Sequence, residues 1–243
     1  MQYKTELHAH TCEVSPCADF TAPELAERYI EAGSSSFVLT NHFSSKILAR
    51  GGKDWDRQID FFTAPYHHMK EYAKGRLNVI LGCELRFDSN DNDYLLFGLT
   101  EAFLRSHPDM QKMRLKEFAP IARENGVLII QAHPFRNGMR IANPNDVDGY
   151  EVFNAHPGHI ARNHLVVEWA RLHGKLMTSG SDFHHPTSVT AGGILTEVPV
   201  TDTKQLAEIL RTGACTLLCG GPAAERDGMR DMPANIDGGQ KTP

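Results

Sequence analysis

Short apolar runs in this chain keep ending on histidine or carboxylate, and that pattern limits what the chain can fold into. Thr5-Glu6-Leu7 leads into His8-Ala9-His10, and Phe37-Val38-Leu39 leads into Thr40-Asn41-His42. Val79–Leu81 leads into Gly82-Cys83-Glu84, and Val127–Ile130 into Gln131-Ala132-His133. Leu176–Ser179 leads into Gly180-Ser181-Asp182-Phe183-His184. Segments of helical character separate the runs. Thr21, Pro23 and Glu24 form a helix-start signature. Leu25, Ala26, Tyr29 and Ile30 then share one side of a helix over Pro23–Ala32, which Gly33 stops. Further helices are expected at Leu115–Glu124, Ile160–Leu172 and Thr203–Arg211. Strands that alternate with helices indicate βαβ units and parallel pairing. The pattern favours an α/β barrel over an open sheet. In such a barrel the C-terminal strand ends form one rim, where active sites are built.

The expected strands are Tyr3–Leu7, Ser36–Thr40, Val79–Leu85, Tyr94–Leu99, Val127–Ala132, Asp148–Phe153 and Lys175–Ser179. Ile194–Val198 and Cys215–Cys219 read as further strands. Residues 44–75 form a longer insertion carrying Trp55, Phe61, Phe62 and Tyr66, expected as a loop and helix over one end of the barrel. Residues 1–220 are read as a single barrel domain. The tail over 221–243 is rich in Gly, Pro, Asp and Asn and is expected to be mostly unpacked.

Composition narrows the function classes. The chain has 243 residues, 41% hydrophobic and 23% charged, which is ordinary for a soluble globular protein. A formal net charge of −5 gives no general attraction to nucleic acid or anionic lipid. No segment reads as a signal peptide, and no apolar run is long enough to span a bilayer. The 5 cysteines form no disulfide framework, so a cytoplasmic protein with reduced thiols is expected. The compositional anomaly is the 13 histidines, several of them clustered with Asp or Glu.

Alternate side chains of a strand point to the same face. His8 and His10 can therefore reach one ion, and Asp182 and His184 repeat the spacing. Imidazole suits zinc, iron and manganese, while carboxylate suits harder ions such as manganese. His8, His10, His42, Glu84, His133, Asp182 and His184 are too many ligands for one catalytic zinc. They suffice for two or three ions if a carboxylate bridges, and Glu84 is the candidate bridge. Clustered metals lower the pKa of water and clamp the oxygens of an in-line displacement, which is the chemistry of phosphate ester hydrolysis.

Together these motifs resemble, in order, those of the PHP (polymerase and histidinol phosphatase) family. The residues concerned are His8-x-His10, Thr40-Asn41-His42, Gly82-x-Glu84, His133-Pro134 and Gly180-Ser181-Asp182-x-His184. The resemblance implies a distorted (β/α)7 TIM-like barrel with a metal-dependent phosphoesterase centre. It implies that His8, His10, Glu84 and Asp182 hold one ion, that His42 and His184 hold a second, and that Glu84 and His133 share a further one. Many family members carry an Asp or His ligand several residues after the first motif. This chain has Glu13-Val14-Ser15-Pro16-Cys17-Ala18-Asp19 there, leaving Cys17 or Asp19 as substitutes. Three-metal members tend to place a histidine on the fourth strand, and Asn92–Gly98 has none, so two ions are expected, with a third left open.

Two further residues are candidates for catalysis. His156 follows the sixth strand and could be a ligand, an acid for the leaving group or a substrate contact. Arg136 follows His133-Pro134-Phe135 and could grip phosphate with its planar fork. His67, His68, His107, His164 and His173 read as surface residues, and His185 as supporting or exposed. The expected function is hydrolysis of a small phosphorylated substrate by metal-activated water, with zinc, manganese or iron as cofactor and nucleic acid still open as a substrate. A metal-dependent amidohydrolase or deaminase is the alternative enzyme. A non-catalytic, polymerase-associated metal-binding module is the alternative outside enzymes.

Overall fold

A computed structural model of the chain describes residues 2–186 and 190–234. In chain order the elements are β1 (Tyr3–Glu6), α1 (Ala22–Glu31), β2 (Ser36–Leu39), β3 (His42–Phe43), α2 (Ser45–Leu48), α3 (Trp55–Ala73), β4 (Asn78–Leu81), β5 (Cys83–Arg86) and β6 (Asp93–Phe97). They continue with α4 (Glu101–Ser106), α5 (Leu115–Glu124), β7 (Leu128–Gln131), β8 (Gly149–Asn154), α6 (Asn163–Leu172), β9 (Leu176–Gly180) and β10 (Ile194–Thr196). The last are α7 (Thr203–Thr212), β11 (Thr216–Leu217), α8 (Gly221–Asp227) and β12 (Met232–Pro233). Among the described residues no helix is long and apolar enough to cross a membrane.

The strands form two six-stranded sheets, in the orders β12-β11-β10-β1-β2-β4 and β3-β5-β6-β7-β8-β9. Two chain segments run from one sheet into the other. β2 continues through Thr40-Asn41 into β3, and β4 continues through Gly82 into β5. A Cβ at Gly82 would stand 2.8 Å from Val38 Cγ1, so the strand can bend past its neighbour there only without a side chain. The sheets also meet beyond β1 and β9. Phe183 N–H donates to His8 O (3.2 Å) and His10 N–H to Phe183 O (3.1 Å), while Thr40 N–H donates to Ala9 O (3.1 Å). The segment after β1 therefore lies between those after β2 and β9.

Local chemistry explains the helices between these strands. At α1 the Glu24 carboxylate accepts the Thr21 N–H (2.9 Å), and Leu25, Ala26 and Tyr29 are buried. α3 differs from its expected place over one end of the molecule. Ile59, Phe62, Met69 and Ala73 turn inward, and the helix packs on α1 and β4 as the crossover between β3 and β4. Its apolar face is long enough to cover a sheet, and burying that face outweighs any role as a lid.

Two further expectations fail. The fourth expected strand, β6, pairs antiparallel with both β5 and β7. Only residues 87–92 separate it from β5, and a parallel crossover needs a dozen residues or more. The tail is also packed as far as it is described. Ala223 and Ala224 of α8 are buried, Asp227 accepts the Asn163 N–H (3.0 Å), and β12 pairs antiparallel with β11. Gly221, Pro222 and Gly228 mark the ends of a helix rather than a loop. Residues 235–243 lie outside the described part.

Candidate metal centre

The short spacings along the strand ends bring the predicted ligands together. Ala9 and Phe183 form a parallel bridge and are buried in an apolar cluster. Their neighbours His8, His10, Asp182 and His184 project to the opposite side. His42 and Glu84 are register partners across β3 and β5. His133 follows β7 by two residues. His133 (φ 30°) and Asp182 (φ 48°) both hold left-handed backbone conformations. Such conformations are costly for residues with a Cβ and tend to persist at functional sites.

Three overlapping groups have ligand atoms within 4.8 Å of one another: His8/His10/Asp182, His8/Glu84/His133 and His10/His42/His184. His8 Nε2 lies 3.2 Å from Glu84 Oε1 and 3.3 Å from Asp182 Oδ1. His10 Nε2 lies 3.5 Å from Glu84 Oε2 and 3.4 Å from Asp182 Oδ1. His133 Nε2 lies 3.2 Å from Glu84 Oε1, and His42 Nδ1 lies 2.6 Å from Glu84 Oε2. Ligands about 2.1 Å from a common ion stand roughly 3.0–3.4 Å apart, so most of these spacings match edges of a coordination shell. His8 Nε2, His10 Nε2, Glu84 Oε2 and His133 Nδ1 are buried without an aligned hydrogen-bond partner. Buried polar atoms without partners are rare and costly. Convergent imidazole nitrogens and carboxylate oxygens are a donor set that fits divalent cations.

The electrostatics point the same way. Burial alone would raise Glu84 and Asp182, but the surrounding imidazoles outweigh it and hold both carboxyls well below their usual range. Burial opposes charge on His8, yet Glu151, Asp182 and Glu84 raise its pKa well above that of free imidazole. His10 is pushed well below that value by burial and by repulsion from His184 and His42, so its lone pair stays free. Buried carboxylates beside a neutral imidazole make a pocket in which His8, His10, Glu84 and Asp182 would hold a cation and the cation would offset their charge.

A supporting layer holds these groups and was not foreseen from the sequence. Glu151, on β8 and fully buried, accepts from His8 Nδ1 (2.8 Å), the His133 N–H (3.0 Å) and Asn154 Nδ2 (2.9 Å). Asn154 also donates to Asp182 Oδ2 (3.2 Å). Glu6 accepts the His8 N–H (2.9 Å) and the Ser181 N–H (2.9 Å), tying the two strand ends together. Asn41 accepts the Thr11 N–H (2.8 Å) and the Ser15 hydroxyl (3.0 Å). The available signal for Glu151 was a carboxylate inside an apolar strand, Tyr150-Glu151-Val152-Phe153, where an unpaired charge would not be tolerated.

The cluster opens onto a cleft of about 290 Å³ whose lining includes Cys17, Arg86, Asp93, Arg136, His156 and His159. Arg136 Nη2 donates to His159 Nε2 (2.6 Å), and Nη1 lies 3.8 Å from Asp182 Oδ2. His156 Nδ1 accepts the Gly158 N–H (3.0 Å), and its ring centroid lies 5.4 Å from that of His184. Burial lowers the His156 pKa to about 4. Asp93 forms a two-pronged pair with Arg86 (2.7 and 2.6 Å). Cys17 Sγ lies 3.3 Å from His42 Nε2. Burial would raise this thiol, but contacts with His184 and His42 bring it down to about 6. Asp19 turns away to accept from His185 Nδ1 (2.8 Å). The structure thus gathers the seven predicted ligands, brings Cys17, His156 and Arg136 to the mouth, and leaves Asp19 outside.

Comparisons with known proteins agree on the fold. No family model and no curated protein matches the chain. Among solved structures, a two-domain Bacteroides vulgatus protein containing a predicted PHP-like metal-dependent phosphoesterase matches with a TM-score of 0.64 at 16% identity, over 90% of this chain. This chain spans 65% of that protein's length. A Bifidobacterium adolescentis protein, provisionally named a metal-dependent phosphoesterase, matches with a TM-score of 0.54 at 15% identity, over 86% of this chain and 96% of its own. A Chromobacterium violaceum amidohydrolase, with bound sulfate and no metal, matches with a TM-score of 0.53 at 14% identity, over 90% of this chain and 99% of its own. The resemblance carried by the strand-end motifs is met at the level of the fold.

Proposed function

We propose that this protein is a metal-dependent phosphoesterase acting on a small phosphorylated substrate. The observation that carries this reading is the convergence of three ligand groups that share His8 and His10, with buried ligand atoms left unpartnered. The bonds linking the two sheets through residues 8–10, 40 and 183 are read as closure of a distorted seven-stranded barrel, with the cluster on its rim.

In this reading His8, His10, Glu84 and Asp182 hold one ion, and His42 and His184 hold a second. Glu84 and His133, beside His8, leave a third position open. Zinc, manganese and iron all suit the donors. Divalent ions there supply positive charge for phosphoryl oxygens and lower the pKa of water. The chain's own residues do the rest. Arg136, held by His159 next to Asp182, presents a planar cation to a phosphoryl oxygen. His156, with its pKa lowered to about 4, is a neutral hydrogen-bond partner for substrate rather than a stored proton. The cleft of about 290 Å³ suits a compact substrate.

The amidohydrolase match supports a second reading, hydrolysis of an amide or cyclic amide by the same cluster. Assays of the metal-loaded protein on phosphate monoesters and diesters, beside cyclic amides, separate the two. Phosphate ester turnover that disappears in His10→Ala is expected. Metal binding with no ester cleaved at all sinks the phosphoesterase reading, and amide turnover in its place would establish the alternative. Turnover of neither class points to a non-catalytic module.

A further inference from the structure

We propose that Cys17 is a thiolate ligand of the ion held by His42 and His184, which makes that position selective for thiophilic ions such as zinc or cobalt over manganese. The inference rests on the metal-centre reading above and adds a donor of a different chemical kind to it.

Geometry places the sulfur. Zinc–sulfur and zinc–nitrogen bonds of about 2.3 and 2.0–2.1 Å put tetrahedral S and N ligands roughly 3.5 Å apart. Cys17 Sγ stands 3.3 Å from His42 Nε2. The His42 ring is oriented for this, because its other nitrogen, Nδ1, faces Glu84 Oε2 at 2.6 Å. A carboxylate behind one imidazole nitrogen is the usual way of aiming the other at a metal. A second, independent observation marks the same place. His10, fully buried, leaves Nε2 unpartnered and lies within 4.8 Å, ligand atom to ligand atom, of His42 and His184.

The loop that carries Cys17 is fixed to the two histidines on either side. Ser15 Oγ accepts the His42 N–H (3.0 Å) and donates to Asn41 Oδ1 (3.0 Å). Asp19 N–H donates to His184 O (3.0 Å), and Ala18 N–H donates to Ser15 O (2.9 Å). Cys17 is thus held between backbone points tied to His42 and His184. Asp19, the carboxylate two residues further along the same loop, is engaged with His185 instead. On binding, the thiol gives up its proton to solvent and the sulfur donates a lone pair to the ion. Thiolate is the softest donor in the cluster and disfavours manganese relative to zinc or cobalt.

Cobalt(II) loading of the intact protein tests this without reference to activity. Cobalt content is counted, and the near-ultraviolet sulfur-to-cobalt charge-transfer band is recorded. Wild type should show the band. Cys17→Ser should lose it, bind up to one ion less and lose roughly tenfold or more in zinc affinity at one position. Cys12→Ser should keep the band. Zinc should also slow alkylation of Cys17 by iodoacetamide, followed by mass spectrometry. A wild type that binds cobalt without the band, or a band that survives in Cys17→Ser, overturns the Cys17 assignment alone. A protein that binds no cobalt overturns the assignment together with the metal centre.

Discussion

His8 gives Nε2 to the ligand cluster and Nδ1 to Glu151, at 2.8 Å. That carboxylate fixes which nitrogen carries the hydrogen, and through the His133 N–H it also sets a second candidate ligand. Glu151→Gln should therefore weaken metal binding by about 10–100-fold while leaving the fold intact. Calorimetric titration with zinc, beside a circular dichroism spectrum, checks both halves; unchanged affinity would remove Glu151 from the positioning role. His156 makes a pH-dependent prediction. Its folded pKa of about 4 lies below the ordinary 6.5, so the unfolded chain accepts a proton that the folded chain resists. Its stabilising contribution is intact above pH 6.5 and is lost as pH falls from there toward 4. Thermal melts of metal-free protein should show less acid destabilisation over that window in His156→Gln than in wild type. Identical acid limbs would show that burial does not suppress the charge. At this scale the sequence made the candidate ligands legible, since the spacing of His8/His10 and Asp182/His184 needs only strand alternation. Glu151 was not legible because its partner His8 is 143 residues away, and only packing reveals the pair.

Between residues and the whole lies the meeting of β1 and β9. Gly180 ends β9 directly against the first histidine. A Cβ there would stand 2.6 Å from Glu151 Oε1 and run into the His8 side chain. Gly180→Ala should cost about 1–3 kcal/mol as an overpacking change. It should also displace His8, so zinc affinity falls along with melting temperature. A variant that melts lower but binds zinc like wild type would show that the strain relaxes away from the ligand. Elements divide in the same way between legible and hidden. Most strands and the helices α1, α5, α6 and α7 are written in local periodicity and caps, and their expected bounds are met within a few residues. The direction of β6 was misread because apolar content marks a strand but not its partner. The deciding feature was the short Asp- and Asn-rich connection Asp88–Asn92, which permits only a hairpin. α3 was misplaced for a related reason, because an amphipathic helix does not state which surface it covers.

Over the whole molecule the cluster is a liability that bound ions would relieve. Buried imidazole and carboxylate atoms of His8 and His10 beyond β1, Glu84 in β5 and His133 beyond β7 have no aligned hydrogen-bond partner, and they converge where the two sheets meet. An ion that binds the folded chain and not the unfolded one adds stability by mass action, about 2.7 kcal/mol at a free concentration 100-fold above its dissociation constant. For a chain of this size that corresponds to roughly 5–10 °C in melting temperature for each ion. Chelation with EDTA should therefore lower the melting temperature of wild type by at least that much, and added zinc should restore it. His10 belongs to two of the ligand groups, so His10→Ala should lose most of the response in both directions. Cys17→Ser should retain the larger part of it, since the group built on His8 and Asp182 remains complete. Differential scanning calorimetry on the three proteins, with and without chelator, makes the comparison. Equal melting temperatures for wild type in zinc and in EDTA would mean that the fold does not depend on ions at this site. The unpartnered atoms would then need another explanation, such as bound water.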